Sequence, residues 1–314
     1  KMIADFGVAR VSRLYPVHFV MLLAMLGFEI FRRALWAGDA GISIFDVPSQ
    51  PYRTIDSFIA NLFLVQAWHL YGHLTWNPQA WFVSAEFALV LLFPALVRIA
   101  GPRFSMRTAF MGLGGVALLM ALAAYVPARP DRLLDITYKW GVFRGIAEFA
   151  MGITMGAAFL AFKDRKGLSL PVAAHVAAQV AIIAALLYAI YAVRDDRVIA
   201  LLMAAMVWIF AFDHGPIARL LASKPLKTLG HWSYGIYLGH VFLIYLLATA
   251  KERHWIANAR DMEGWAGDVW FVAEPALVAA LAVLLGAALA RYVEGPGGAL
   301  IRHAIARIFP PRRA

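Results

Sequence analysis

SLPVAAHVAAQVAIIAALLYAIYAV, residues 169–193, runs for twenty-five residues without an aspartate, glutamate, lysine or arginine. A helix rises about 1.5 Å per residue and the hydrocarbon core of a bilayer is about 30 Å thick, so roughly 20 mainly apolar residues cross it. Eight further apolar stretches lie near 14–31, 57–72, 80–99, 108–127, 141–162, 198–213, 230–249 and 270–293. None sustains strict apolar/polar alternation, which favours helices over an outer-membrane barrel. The whole chain agrees: of 314 residues 62% are hydrophobic and 15% charged, with mean hydropathy +0.69. These observations predict an all-α polytopic membrane helix bundle whose main partner is the lipid bilayer.

Basic residues set the number of crossings. Arg10 and Arg13, then Arg98, Arg103 and Arg107, then Lys163, Arg165 and Lys166, then Arg219, Lys224 and Lys227, then the tail from Arg291 to Arg313 alternate along the chain. Loops rich in lysine and arginine stay on the cytoplasmic side. Only an even number of crossings fits between the first two clusters, yet three apolar segments lie there. The segment 57–72 carries Asn61, Gln66, Trp68 and His69, so it is expected to be an interfacial or re-entrant helix. Eight spans remain, with both ends of this chain cytoplasmic and a multi-pass placement in the plasma membrane, the inner membrane of a bacterium. The connections 32–56 and 250–269 are expected outside, with Trp255, Trp265 and Trp270 as interfacial anchors. Topology thus accounts for the net charge of +10, and no nucleic-acid partner is expected.

The absence of cysteine excludes a disulfide framework, a thiolate metal site and a cysteine nucleophile. No internal repeat and no long linker interrupts the chain, which reads as one membrane domain over 1–298 and a basic cytoplasmic tail over 299–314. It opens on Lys1 without a signal-peptide pattern and is expected to begin inside a longer protein.

Ionisable groups within spans cost several kcal/mol unless paired or hydrated, so each is a functional candidate. Ser84 and Glu86 lie within two turns of the outer end of a span, next to Trp81. Arg144 and Glu148, four residues apart, meet on one helix face either as a packing pair or as a working one. Ser233, Tyr237 and His240 share a face, with Tyr234 beside them; packing with a bonded hydroxyl is the plainer reading for the tyrosines. Arg291 and Glu294 form a fourth pair, at a helix end marked by Glu294-Gly295-Pro296. Arg10 and Arg13, three residues apart, either snorkel to lipid phosphates or present a fork of guanidinium donors to the phosphates of a soluble cofactor.

Several motifs together resemble a known family. Asp5-Phe6 through Arg10-Val11-Ser12-Arg13-Leu14-Tyr15-Pro16-Val17-His18 resembles the start of the third membrane helix of the acyltransferase-3 family of acyl-CoA-dependent membrane enzymes. Trp76-Asn77 and Trp81-Phe82-Val83-Ser84-Ala85-Glu86-Phe87, ending at Phe93-Pro94, look like its Trp-Ser-x-Glu segment and Phe-Pro helix end. Phe143-Arg144-Gly145 through Phe149-Ala150-Met151-Gly152 is similar to its arginine-containing helix. Leu229-Gly230-His231-Trp232-Ser233-Tyr234-Gly235-Ile236-Tyr237-Leu238-Gly239-His240 looks like its Leu-Gly-x-x-Ser-Tyr-x-x-Tyr-Leu-x-His signature, and Tyr292-Val293-Glu294-Gly295-Pro296 like its closing Glu-x-Pro. The five motifs follow the family's order from residue 5 to residue 296.

The resemblance implies about ten core spans, the first with an arginine and a histidine regarded as catalytic. Those two opening spans have no counterpart in the present sequence, and His18 aligns with an ordinary position. It further implies O-acyl transfer, acetyl foremost, from acyl-CoA on the cytoplasmic side to a hydroxyl of a surface or secreted glycan. Acyl-CoA is then the donor substrate, and no metal is expected. Arg10 and Arg13 would grip the CoA end; Ser84 and Glu86 would carry the chemistry; Trp81, Arg144, Tyr234, Tyr237 and His240 would line the tunnel. The alternative is a non-enzymatic transporter or channel for a small molecule, to which Arg144 and Glu148 would supply an intramembrane polar pair.

Overall fold

A computed structural model describes residues 2–35, 53–101, 103–126, 136–163, 171–212, 215–256, 262 and 264–308. The connection 32–56 and the loops that carry Arg129, Arg132, Arg165, Lys166 and Arg260 lie wholly or partly outside these residues. Eleven helices occur among them: α1 Met2–Leu35, α2 Ile55–Leu62, α3 Trp81–Ala100, α4 Met106–Tyr125, α5 Gly141–Phe162, α6 Val172–Tyr188, α7 Asp196–Ala211, α8 Gly215–Leu221, α9 Lys224–Glu252, α10 Trp265–Leu289 and α11 Gly295–Ile308. No strand occurs among the described residues, and the protein is an all-α, multi-pass helix bundle.

Among the described residues seven helices are long and apolar enough to cross a membrane; α7, at sixteen residues, is the exception among the predicted spans. It reaches only about 24 Å, and an eighth crossing requires α8 in addition. The stretch 57–72 holds no helix long enough to cross. Its helix α2 has eight residues, about 12 Å, closed at the start by a capping box between Thr54 and Ser57. Helix α1 is longer than its apolar stretch at both ends.

The last span also differs from expectation. The chain does not leave the helix at Gly295-Pro296 but passes through a π-helical turn, Ala290–Glu294, into α11. Pro296 lies just past that turn in a helix that continues from α10, and, lacking an N–H, it cannot bond the carbonyl one turn back.

The contacts divide the chain into two units. The first comprises Lys1–Gln66, His73–Ser84 and Thr228–Ala314. Here α1 packs along α11 and the π turn, with the backbone carbonyl of Ser12 against Gly298. Pro16 has no N–H to bond that carbonyl, so the helix is open on this side. Leu22, Met25 and Trp76 form a buried cluster joined by Phe58, Leu62, Phe242 and Tyr245.

The second unit comprises Ala67–Gly72 and Ala85–Lys227, with α4 against α5 and α6 against α7 as its main pairs. Lipid tails are as apolar as leucine, so membrane helices associate through close packing of small residues. Gly112 and Gly115 of α4 face Ala147, Ala150 and Thr154 of α5, and the Thr154 hydroxyl donates to Thr108 O at 2.6 Å. A Cβ on Gly115 would lie 2.7 Å from the Ala147 carbonyl, so the helices meet at backbone distance. Asp195 caps α7 and pairs with Arg197; that guanidinium holds the Asp195 carboxyl below the usual carboxylate range.

Candidate active site

Arg10 and Arg13 stand one helical turn apart on α1, and both are exposed. Arg13 Nε lies 3.3 Å from Glu294 Oε1, while the Arg10 guanidinium lies 5.3 Å from the Phe6 ring. Glu294 is therefore paired with Arg13 and not with Arg291, as spacing suggested. Residues three apart stack on an α-helix, but residues 290–294 form a π turn, which bonds i to i+5 and shifts that register. Arg291 instead lies 5.6 Å from the Tyr292 ring.

Around α2 and the turn after it, the first unit holds a buried polar network. His18 Nε2 donates to Asn61 O at 2.8 Å, and the Tyr15 hydroxyl to Leu62 O at 3.1 Å. Asn61 Nδ2 donates to Ser57 O and to the Thr75 hydroxyl. Gln66 Nε2 donates to Ala80 O, and Asn77 Nδ2 reaches Leu238 O in α9. Ser84, fully buried, donates its hydroxyl to Leu64 O at 2.8 Å. The amide oxygens of Asn61, Gln66 and Asn77 are buried without a hydrogen-bond partner. The segment after α2, which has little regular structure, is thus held in the unit through side-chain hydrogen bonds.

One end of this network opens at α9. His240 Nδ1 lies 2.7 Å from Tyr237 O, and a carbonyl only accepts, so Nδ1 carries the proton. Nε2 then holds a lone pair, which accepts from Gln79 Nε2 at 3.2 Å. Tyr237 completes the cluster edge-on to Phe82, which is itself edge-on to Trp81. Trp81, Tyr237 and His240 are all partly accessible. Tyr234 is different: it is buried, and its hydroxyl donates to Leu14 O at 2.7 Å, tying α9 to α1. Ser233 is exposed and donates to Gly230 O within its own helix.

Glu86 and Arg144 belong to the second unit. Arg144 meets Glu148 at 3.0 Å as the four-residue spacing suggested, and its Nη1 also donates to Ile136 O. The guanidinium is largely buried while the Glu148 carboxylate is half exposed. Glu86 is partly accessible on α3.

A further charged cluster escaped the sequence reading. Glu29, buried on α1, receives a fork from Arg32 at 3.0 and 2.8 Å, a bond from Arg33 at 2.7 Å and one from Arg53 at 2.6 Å. The Arg53 guanidinium also lies 5.0 Å from the Tyr245 ring. The signal is Glu29-x-x-Arg32-Arg33, spaced for i,i+3 and i,i+4 pairing, but the span boundary expected at residue 31 separates the glutamate from both arginines. Among the described residues no three histidine, aspartate or glutamate side chains converge on a metal position.

A family model described as an acyltransferase domain, that of the acyltransferase-3 family, matches residues 4–292. The chain belongs to the acyltransferase-3 family. Searches of curated proteins and of solved structures gave no match. The matched region of this acyltransferase-3 member takes in every candidate residue from Arg10 to His240 and ends inside the π turn that carries Arg291 and Tyr292. The protein is a membrane acyltransferase.

Proposed function

We propose that the protein moves an acyl group, acetyl foremost, from acyl-CoA to a hydroxyl of a surface or secreted glycan. The observation that carries the donor assignment is the exposed pair Arg10 and Arg13, one turn apart in the first half of α1, in a member of an acyltransferase family. CoA is rich in phosphate, and guanidinium groups bind phosphate by paired, charge-assisted hydrogen bonds. In this reading that end of α1 faces the cytoplasm, in the plasma membrane, residues 1–298 make the membrane domain, and residues 299–314 form a basic cytoplasmic tail that begins in α11.

The transfer forms an ester bond and breaks a thioester bond. A base takes the acceptor proton as the hydroxyl oxygen attacks the thioester carbon; the oxyanion then collapses and CoA departs as its thiol or thiolate. Glu86 is the proposed acid–base carboxylate. Ser84, with its hydroxyl committed to Leu64 O, acts by holding the start of α3 in place. Arg144 steadies negative charge. Trp81, Tyr237 and His240 line the acceptor path, and Tyr234 keeps α9 in register with α1.

The test uses membranes carrying the full-length protein, labelled acetyl-CoA and isolated surface polysaccharide. Wild type is expected to label the glycan, and Arg10→Ala/Arg13→Ala to lose at least tenfold at low donor concentration. Flux of a small molecule without label on glycan would establish the transporter reading instead. Equal donor binding by wild type and the double variant would overturn the arginine assignment.

A further inference from the structure

Helices α9 and α10 meet at two glycines: a Cβ on Gly235 would lie 3.0 Å from the Cα of Gly286. About one turn toward the start of α9, a cavity of about 480 Å³ separates them. His231 and Trp232 line it from α9, Ala287 and Ala288 from α10, and Arg291 and Tyr292 from the π turn that follows. The alanines make a shallow apolar floor. The π turn matters because it departs from α-helical register where the two ringed and charged side chains are presented; such turns often occur at functional sites.

Three observations describe the ligand this cavity suits. Arg291 meets no carboxylate among the described residues, because Glu294, the acid three residues on, is paired with Arg13. His231, on the facing helix, is exposed, and its side chain has no hydrogen-bond partner among the described residues. The cavity therefore carries an uncompensated cation and a second basic group. Its apolar side lies on the face of α10 formed by Leu281, Leu284, Ala288 and Tyr292, at helical spacing and all exposed. In a spanning helix such a face meets lipid. Farther along the same continuous helix, α11 adds Arg302 and Arg307, both exposed, so this end of the unit is basic.

We infer that the cavity between α9 and α10 holds one anionic phospholipid, its phosphate on Arg291 and His231 and an acyl chain along Ala287 and Ala288. A soluble phosphate compound would need no alanine floor open to the bilayer, whereas a phospholipid supplies the anion and the apolar chain in one molecule. Trp232 and Tyr292 suit the headgroup level, where amphipathic rings are enriched. Basic pockets between membrane helices bind anionic headgroups by this combination of charge and shape.

The test is native mass spectrometry of the full-length protein released from nanodiscs of mixed phosphatidylglycerol and phosphatidylcholine. Wild type is expected to retain one phosphatidylglycerol at least tenfold more often than phosphatidylcholine, Arg291→Ala to lose that preference, and Arg291→Lys to keep part of it. Arg302→Ala, on the exposed face of α11, is expected to retain the lipid as wild type does. Unfolding temperature in phosphatidylcholine alone checks that Arg291→Ala is folded, and Ala288→Trp, which fills the floor while leaving the charge, should also expel the lipid. Equal retention of both lipids, an unchanged Arg291→Ala, or equal losses in Arg291→Ala and Arg302→Ala would overturn the proposal. Displacement of the lipid by added inorganic phosphate or CoA would do the same, since it would make the site one for soluble anions.

Discussion

Arg13 of α1 and Glu294 of the π turn form an ion pair at 3.3 Å, although Arg291 lies three residues from that glutamate. The pair joins the helix proposed to hold the donor to the helix that closes the family's matched region. Arg13 is half exposed, so the pair itself adds little stability. Its consequence is for binding: a carboxylate next to a guanidinium competes with an incoming phosphate. Arg13→Ala is expected to raise KM for acyl-CoA about tenfold, equivalent to ~1.4 kcal/mol and in line with loss of a charge-assisted bond. Glu294→Gln is expected to lower KM or leave it unchanged. Donor-dependent initial rates check both, and an unaltered KM in Arg13→Ala would remove the donor role.

Glu29 is expected to be the most sensitive charged residue for stability. The side chains of Arg32 and Arg53 are 5% and 8% exposed, and Glu29 is the acid they share. Glu29→Gln would leave buried guanidinium groups without their counter-charge, a change that costs about 3–5 kcal/mol for comparable pairs. A fall of several degrees in unfolding temperature in detergent is the expected result. Glu29→Gln combined with Arg53→Met should recover part of the loss, because the second change removes one stranded cation.

Neighbouring glycines of α4 should respond in opposite ways. Gly115→Val would drive a side chain into the Ala147 carbonyl and separate α4 from α5, with a loss of about 1–3 kcal/mol or more. At Gly114 nothing lies within 4 Å of an added Cβ, so Gly114→Ala is expected to be neutral or to stabilise by up to about 1 kcal/mol through helix propensity. Denaturation of the two variants side by side measures the difference. Equal behaviour would mean that α4 and α5 do not pack through this face.

What could be read beforehand was what is local. Apolar runs long enough for a bilayer gave the helical class and most spans, and the spacing of Arg144 and Glu148 gave an ion pair that the structure contains. The polar network was not legible, because its acceptors are backbone carbonyls distant in sequence: His18 on Asn61 O, Ser84 on Leu64 O, Asn77 on Leu238 O. Side-chain identity says nothing about which carbonyl a fold will present. Arg291 and Glu294 failed for a related reason, since pairing by spacing assumes an α-helix and the backbone there is a π turn.

Asp195 gives a pH dependence with a defined sign. Its carboxyl is held below its ordinary value, first by the hydrogen bond from Arg197, so the ionised form is favoured in the folded protein. That stabilisation is present above the unfolded-state value and fades as the pH falls through the folded-state value. Asparagine can still cap α7 but cannot pair with Arg197, so Asp195→Asn should be less stable than wild type at neutral pH by no more than the roughly 1 kcal/mol of an exposed ion pair, and the two should converge in acid. Urea unfolding at several pH values tests this, and a difference that grows in acid would contradict it.

Gln79 and His240 provide the sharpest test of the acceptor path. With Nδ1 donating to Tyr237 O, the basic nitrogen of His240 is Nε2, and Gln79 holds it at 3.2 Å. An amide hydrogen on that nitrogen fixes the plane of the ring beside Tyr237. Gln79→Leu removes the donor without altering the ring and is expected to free Nε2 for a substrate hydroxyl. His240→Gln removes the imidazole but can still bond Gln79. If His240 touches the acceptor, His240→Gln should raise the acceptor KM severalfold and leave the donor KM alone, while Gln79→Leu should change the acceptor KM in the opposite direction. A purely packing role predicts instead that both variants lose stability together and shift neither KM. Acceptor-dependent rates paired with unfolding temperatures separate the two, because only direct contact with the acceptor divides one substrate's constant from the other's.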